Sequence, residues 1–360
     1  MPVSFDDLPD WNRDDHGAAF AAFRRSAVYA AGKPYRDGSL GVSFEAFGQA
    51  YREAREAVAP DSRETRRFFE RHFVPCKISA APSAQGFVTG FYEPVVAASA
   101  GRTAEFTIPL YARPADLIEV NDGNRPDAMD TAFAFGRETE RGIVEYPDRR
   151  AIEEGALAGR GLEMAWLKEK VDVFFIHVQG AARLQMTDGT TRRVTYAAKS
   201  GHPFTGPGHV LAGSGEIERD RVTMQSIRAW FRAHPHRVDE IFWQNRSFIF
   251  FRQAAVDDAE LGPIAAAKVP LTAGRSIAVD RLLHTFGTPV FIDAPSLGAF
   301  GAAPFRRLMI AQDTGSAITG PARGDLFAGS GDAAGEIAGV VRNAADFYAL
   351  VPRQLVAGAR

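Results

Sequence analysis

Apolar and polar positions change period along this chain, and the change divides it. In the first quarter the period is helical. The stretch "DHGAAFAAFRRSAVYAA" sets Phe20, Phe23 and Val28 near helical spacing. "SFEAFGQAYREAREAV" opens on Ser43, a candidate N-cap, and carries Phe44, Phe47, Tyr51 and Ala54 down one side. "DSRETRRFFERHF" follows, with Asp61 or Ser62 as cap. After Pro75 the pattern becomes strand-like: "GFVTGFYEPVVAAS" alternates and contains glycine, which predicts a strand with a bend or bulge.

The middle of the chain mixes both periods. "EFTIPLYAR" predicts a strand, "VNDGNRPDAMD" a polar loop, and "RRAIEEGALAGRG" a short helix closed by glycine. "EMAWLKEKVDVFFIHVQG" is expected to run from helix into buried strand. "ARLQMTDGTTRRVTYAA" predicts a hairpin turning at Asp188-Gly189, and "TMQSIRAWFRAHP" a helix. The last part is rich in strands: "SFIFFRQ", "RSIAVD", "TPVFIDA" and "FRRLMIAQ", separated by Gly and Pro turns, predict a small β-barrel.

Composition narrows this only a little. A chain of 360 residues, 46% hydrophobic and 24% charged, is globular and long enough for two domains. Its 34 glycines and 21 prolines favour short strands and many turns over a helical fold. The 42 basic and 44 acidic residues nearly cancel, so charge gives no reason to expect a nucleic-acid partner. The single cysteine, Cys76, cannot close an intramolecular disulfide and is expected as a buried structural thiol. No apolar run approaches transmembrane length. The acidic, polar start "MPVSFDDLPDWNRDDHG" lacks the features of a signal peptide, which leaves a cytosolic protein or a processed form with an added methionine.

Three constellations carry candidate chemistry. The first is "LMIAQDTGSAITGPARGDLF", with Asp313 in an Asp-Thr-Gly triplet and Asp325 beyond it. An aspartic protease needs two carboxylates sharing a proton, normally from two such triplets, and this chain supplies one. The plain reading of Asp313 is a strand end capping the turn that follows. Asp325 is flanked by glycine and by Leu326 and Phe327, which would raise its pKa if they packed beneath it, as a general acid requires; a turn aspartate is the plain alternative.

The second constellation is "VTGFYEP", in which Phe91 and Tyr92 form either an aromatic platform for sugar rings or part of a strand core. The third joins "HVQGAARLQM" to "TYAAKSGHPFTGPG", where Gln179, Gly180, Lys199 and His202 offer donors and close backbone approach. His177 and His202 lack the neighbours of a metal site, and none is expected. No cofactor fingerprint, nucleophile elbow or Walker loop is present.

Seven segments occur in one order: "VTGFYEPVV", "FFIHVQGAARLQMTDGT", "YAAKSGHPF", "QNRSFIFFR", "VPLTAGRSIAVDR", "GTPVFI" and "AQDTGSAITGPARGDLFAGSG". Together they resemble the membrane-bound lytic murein transglycosylase A family over roughly residues 70 to 345. The resemblance implies a mainly β fold with N-terminal helices. A double-psi β-barrel would be formed by residues 1–106 and 246–360, with a second, barrel-like β-domain inserted at 107–245 and a groove between them for glycan. It implies cleavage of the β-1,4 bond between N-acetylmuramic acid and N-acetylglucosamine in peptidoglycan, leaving a 1,6-anhydro ring. Because the sugar's own C6 hydroxyl attacks C1, one carboxyl suffices: it protonates the leaving oxygen and then takes the hydroxyl proton. Ordinary glycosidases need two carboxylates.

Carried over by position, the catalytic acid is Asp325 and the supporting aspartate Asp313. Thr89, Gly90, Phe91 and Tyr92 match the family's "TGYY", with Phe91 in place of a Tyr; if that hydroxyl touches substrate in the family, this chain lacks the contact. Gln179 and Gly180 match its "QG", although Ala181-Ala182 replace Ser-Gly. Lys199 and His202 match "KNGH", with Ser200 in place of Asn. The implied partners are peptidoglycan glycan strands and, beyond them, proteins of wall synthesis or division. A monomer is expected, and the substrate implies the periplasm or cell envelope. The competing readings are a non-catalytic glycan-binding module and the aspartic protease.

Overall fold

A computed structural model of the chain describes residues 1–79, 85–255, 258–301 and 304–357. Two compact units result: Met1–Tyr92 with Asp258–Arg360, and Glu93–Asp257. The architecture is mainly β with N-terminal helices, as anticipated.

The first unit begins with helices His16–Ala30, Gly48–Glu56 and Ser62–His72. Asp15 caps the first by accepting the Ala18 amide, and Asp61 caps the third in a reciprocal box with Glu64. Phe20 and Phe23 turn inward, but Val28 faces solvent. Ser43 does not cap: a 3-10 turn, Phe44–Phe47, intervenes before the second helix. Phe47, Tyr51 and Ala54 are buried as their spacing requires.

Eight strands form one mixed sheet in the order Phe73–Ile78, Asp346–Pro352, Pro289–Ala294, Phe305–Asp313, Ser276–Val279, Arg323–Ser330, Phe87–Glu93, Arg342–Ala344. Ser276–Val279 runs parallel to Phe305–Asp313 and antiparallel to Arg323–Ser330. The helices and the inner face of this sheet share one core, in which Phe23, Phe47, Phe69 and Phe73 meet Ile277, Val290, Ile310 and Leu326. Cys76 is half-buried on the Phe73–Ile78 strand and not in the core; partial burial still pushes its thiol upward, away from a reactive thiolate.

The second unit holds a four-stranded sheet, Ile249–Ala254, Thr191–Lys199, Ala181–Met186 and Val95–Ala98, with smaller two- and three-stranded sheets. Both ends of this unit are sewn into the larger sheet: Val95–Ala98 pairs with Ala181–Met186, and Ile249–Ala254 with Thr191–Lys199. The hairpin turns at Asp188 and Gly189, where Gly189 takes a positive φ of 82° and the Asp188 carboxylate accepts the Thr190 amide.

One expectation is reversed. Glu163–Leu167 is a strand, and Lys170–Gln179 is a helix. "EMAWL" pairs with Ile108–Tyr111. "KVDVFFIHVQ" buries five consecutive residues, Val173 to His177, because strands pack on one side of it, at Val173 and Ile176, and helices on the other, at Phe174 and Phe175. A short apolar run of this kind has no period that separates strand from buried helix.

Candidate active site

The site is built on the central strand Ser276–Val279. Asp313, at the end of one neighbouring strand, and Asp325, early in the other, are both in register with Ala278. In-register residues of adjacent strands project to the same face, so both carboxyls rise beside the small Ala278 side chain. Two strand spacings put their Cα atoms roughly 10 Å apart.

A local irregularity puts Asp313 there. The register between Ser276–Val279 and Phe305–Asp313 shifts after Ile277: Ile277 pairs with Ala311, and Ala278 with Asp313. Gln312 is the extra residue, and its side chain is fully buried. Its amide nitrogen donates to Ala22 O at 2.8 Å and Ser26 Oγ at 2.9 Å, and its Oε1 accepts the Ser276 hydroxyl at 2.6 Å. These bonds anchor the bulge to the first helix and re-aim the next side chain.

Both carboxyls are half-buried. Desolvation dominates for each, pushing Asp313 up to about 6 and Asp325 above the ordinary carboxylate value. The negative charge of Asp325 raises Asp313 further, while Lys268 pulls it down. Asp313 is held by backbone: it accepts the Ala266 amide at 3.1 Å and the Thr314 amide. Asp325 is held by a side chain, accepting the Thr89 hydroxyl at 2.5 Å, which with the Arg323 charge moderates the rise.

The apolar floor differs from expectation in one residue. Phe327 shares the face of Asp325 by alternation and stacks against Phe91, ring centroids 5.2 Å apart, with Leu271 and Ala278. Leu326 points to the opposite face, into the main core. Phe91 and Tyr92 are both buried, so neither presents an open ring face; Phe91 packs on Phe327. Gly90 serves packing: a Cβ there would come within 2.8 Å of Ala338 Cα in the helix Asp332–Val340.

The remaining candidates lie in the second unit. Gln179 ends the helix Lys170–Gln179 and Gly180 caps it at a φ of 74°, a conformation that suits glycine. Lys199 ends the strand Thr191–Lys199 and is half-buried. His202 is buried, with Nε2 2.6 Å from the Tyr146 carbonyl oxygen and its ring edge-on to Phe133, which is a packing role. His177 is buried against Arg149, whose guanidinium lies 3.1 Å from Nδ1; burial and that cation push it well below the ordinary histidine value. Among the described residues no group of three or more His, Cys, Asp or Glu could hold a metal ion.

Arg323 escaped the sequence reading. It lies two residues before Asp325 on the same strand face, and donates to Thr89 Oγ1 at 2.7 Å. Period-two alternation within "RGDLF" is the signal that could have found it.

A family model described as the MltA specific insert domain matches residues 87–252, and one described as the 3D domain matches residues 275–351. The crystal structure of a membrane-bound lytic murein transglycosylase from Agrobacterium tumefaciens is 50% identical, covers 100% of this chain and 99% of that chain, and has a TM-score of 0.94. MltA from Neisseria gonorrhoeae in its monoclinic form is 31% identical over 98% of this chain and 92% of that chain, at a TM-score of 0.80. Membrane-bound lytic murein transglycosylase A of Escherichia coli strain K12 is 32% identical over 256 residues, which span 70% of this chain and 61% of that protein. The match therefore spans less than two thirds of that curated relative.

Proposed function

This chain belongs to the membrane-bound lytic murein transglycosylase A family, and from that membership and the site geometry we propose that it cleaves peptidoglycan glycan strands. The bond broken is the β-1,4 link between N-acetylmuramic acid and N-acetylglucosamine. Asp325 gives its proton to the leaving glycosidic oxygen as the C1–O bond breaks. The C6 hydroxyl oxygen of the same muramic acid then bonds to C1 and its proton passes to Asp325, which is thereby restored. The products are a 1,6-anhydromuramoyl end and a free 4-hydroxyl, with no water consumed.

One observation carries this reading. Two carboxyls raised by burial flank Ala278 on one face, and the one fixed by a side-chain hydroxyl, Asp325, shares its strand face with Phe327, whose ring packs on Phe91. An acid that must start protonated and end protonated needs such a desolvated seat. Asp313, tied to two backbone amides, suits a fixed supporting role. Thr89 orients the acid, and Gly90 and Tyr92 shape the strand behind it. Gln179 and Lys199 are retained as donors for sugar hydroxyl and acetamido groups, with Gly180 and His202 framing them. The substrate implies action in the cell envelope. No helix among the described residues is long and apolar enough to cross a membrane.

Digestion of purified sacculi, with products separated by mass, tests the reading. Muropeptides ending in 1,6-anhydro-N-acetylmuramic acid are expected. Reducing N-acetylmuramic acid ends without the anhydro form would make the protein a hydrolase, and retention on sacculi without soluble product would make it a binding module.

A further inference from the structure

Resting on the reading of Asp325 as the acid, we propose that Arg323 is a positioning residue for cleavage: through the Thr89 hydroxyl it fixes which oxygen of Asp325 carries the transferable proton. The three side chains form a directed chain. Arg323 Nη2 lies 2.7 Å from Thr89 Oγ1, and Thr89 Oγ1 lies 2.5 Å from Asp325 Oδ1. A guanidinium has donors only, so Thr89 must accept from Arg323. A hydroxyl has one proton, and here it points to Asp325 Oδ1. Oδ1 therefore accepts, and a proton held by Asp325 sits on Oδ2. Without Arg323 the Thr89 hydroxyl can turn, the two oxygens become equivalent, and the acid loses its fixed orientation.

Arg323 is itself held for this task. It donates to the Gly324 carbonyl, and its guanidinium lies over the Phe87 ring, 5.6 Å from the centroid. Phe87, Thr89 and Phe91 alternate along one face of their strand, as Arg323, Asp325 and Phe327 do along theirs. The charged groups acting on this pair are few. Arg323 acts on Asp325 from its own strand, Asp313 stands across Ala278, and Lys268 acts on Asp313. The helix Asp332–Val340 packs against Gly90 and Tyr92, on the other face of the Thr89 strand.

The test is the pH dependence of kcat and KM on soluble glycan, for the full chain carrying Arg323→Gln, Thr89→Val, Thr89→Ser and the double substitution Arg323→Gln/Thr89→Val. Removing the cation favours the protonated acid, so Arg323→Gln should move the alkaline limb of kcat/KM up by about one pH unit. It should lower kcat about tenfold with KM unchanged. Thr89→Val should lower kcat by a similar factor and Thr89→Ser should restore it. The double variant should lose no more kcat than the worse single one. An unmoved alkaline limb, losses that multiply in the double variant, or a raised KM at constant kcat would each overturn the proposal. Failure of the unsubstituted protein to release anhydro products would instead overturn the reading beneath it, before any variant is compared.

Discussion

Asp313 and Asp325 stand opposite the same residue, Ala278, on the two strands that flank it. The two carboxyls thus share a face without sharing a strand, and each is held by different partners. Replacing each by its amide separates their roles. On the proposed mechanism Asp325→Asn removes the proton donor, and it should lower turnover by about three orders of magnitude while binding to sacculi persists. Asp313→Asn keeps an oxygen for the Ala266 amide and should cost about tenfold. Release of anhydromuropeptides by each variant checks this; a dead Asp313→Asn with an active Asp325→Asn would exchange the assignments.

The same pair makes stability depend on pH. Asp313 holds its proton up to about pH 6 in the folded chain, against an ordinary value of 3.8. The folded state therefore binds the proton more tightly than the unfolded state. This contribution is complete below pH 3.8 and is lost as pH rises through about 6. Asp313→Asn, with no charge to bury, should be more stable than the natural chain at pH 7.5, by about 1–2 kcal/mol after allowance for the solvent that reaches a half-buried carboxyl. The gain should shrink towards pH 4. Thermal melts at the two pH values measure it, and an equal difference at both would show that burial of charge is not its source.

Gln312 offers a test of how Asp313 is aimed. Its side chain joins Ser276, Ser26 and the Ala22 carbonyl inside the core. Gln312→Ala leaves these groups unsatisfied and removes the anchor of the bulge, and should cost about 2–3 kcal/mol. Asp313 then loses its place opposite Ala278, so turnover should fall beyond what the Asp313→Asn variant shows. Melting and sacculus digestion together decide between this and a plain loss of stability, in which activity below the melting point would stay intact.

Much of the fold was legible because patterning and caps agree locally. Asp61 with Glu64, and Asp188 with Gly189, each announce a helix start or a turn within four residues. The helix Lys170–Gln179 was not legible, since its five consecutive buried residues, Val173 to His177, set no period of their own. The aspartates could be picked out by motif, but not their relation. That depends on a bulge at Gln312 and on a register with Ala278, and both are set by contacts with residues far away in the chain. The two readings of Phe91 stayed open for the same reason: whether an aromatic ring on a strand faces ligand or neighbour depends on what packs opposite, here Phe327.

Phe327 gives the most direct test of the apolar seat. It is buried on the strand face that carries Asp325, with its ring against Phe91, and Gly262 leaves no spare room on its other edge, since a Cβ there would lie 2.4 Å from the ring. Phe327→Ala opens a cavity beside a carboxyl, admits water and relieves the desolvation that raises Asp325. The acid then loses its proton at lower pH, so the alkaline limb of kcat/KM should move down, opposite in sign to Arg323→Gln. The same change should cost about 3–5 kcal/mol in stability, so Phe327→Leu, which keeps most of the volume, is the variant to titrate. Its limb should move in the same direction by a smaller amount. A limb that moves upward, or stays in place while stability falls, would show that the aromatic floor holds the strand and does not set the acid.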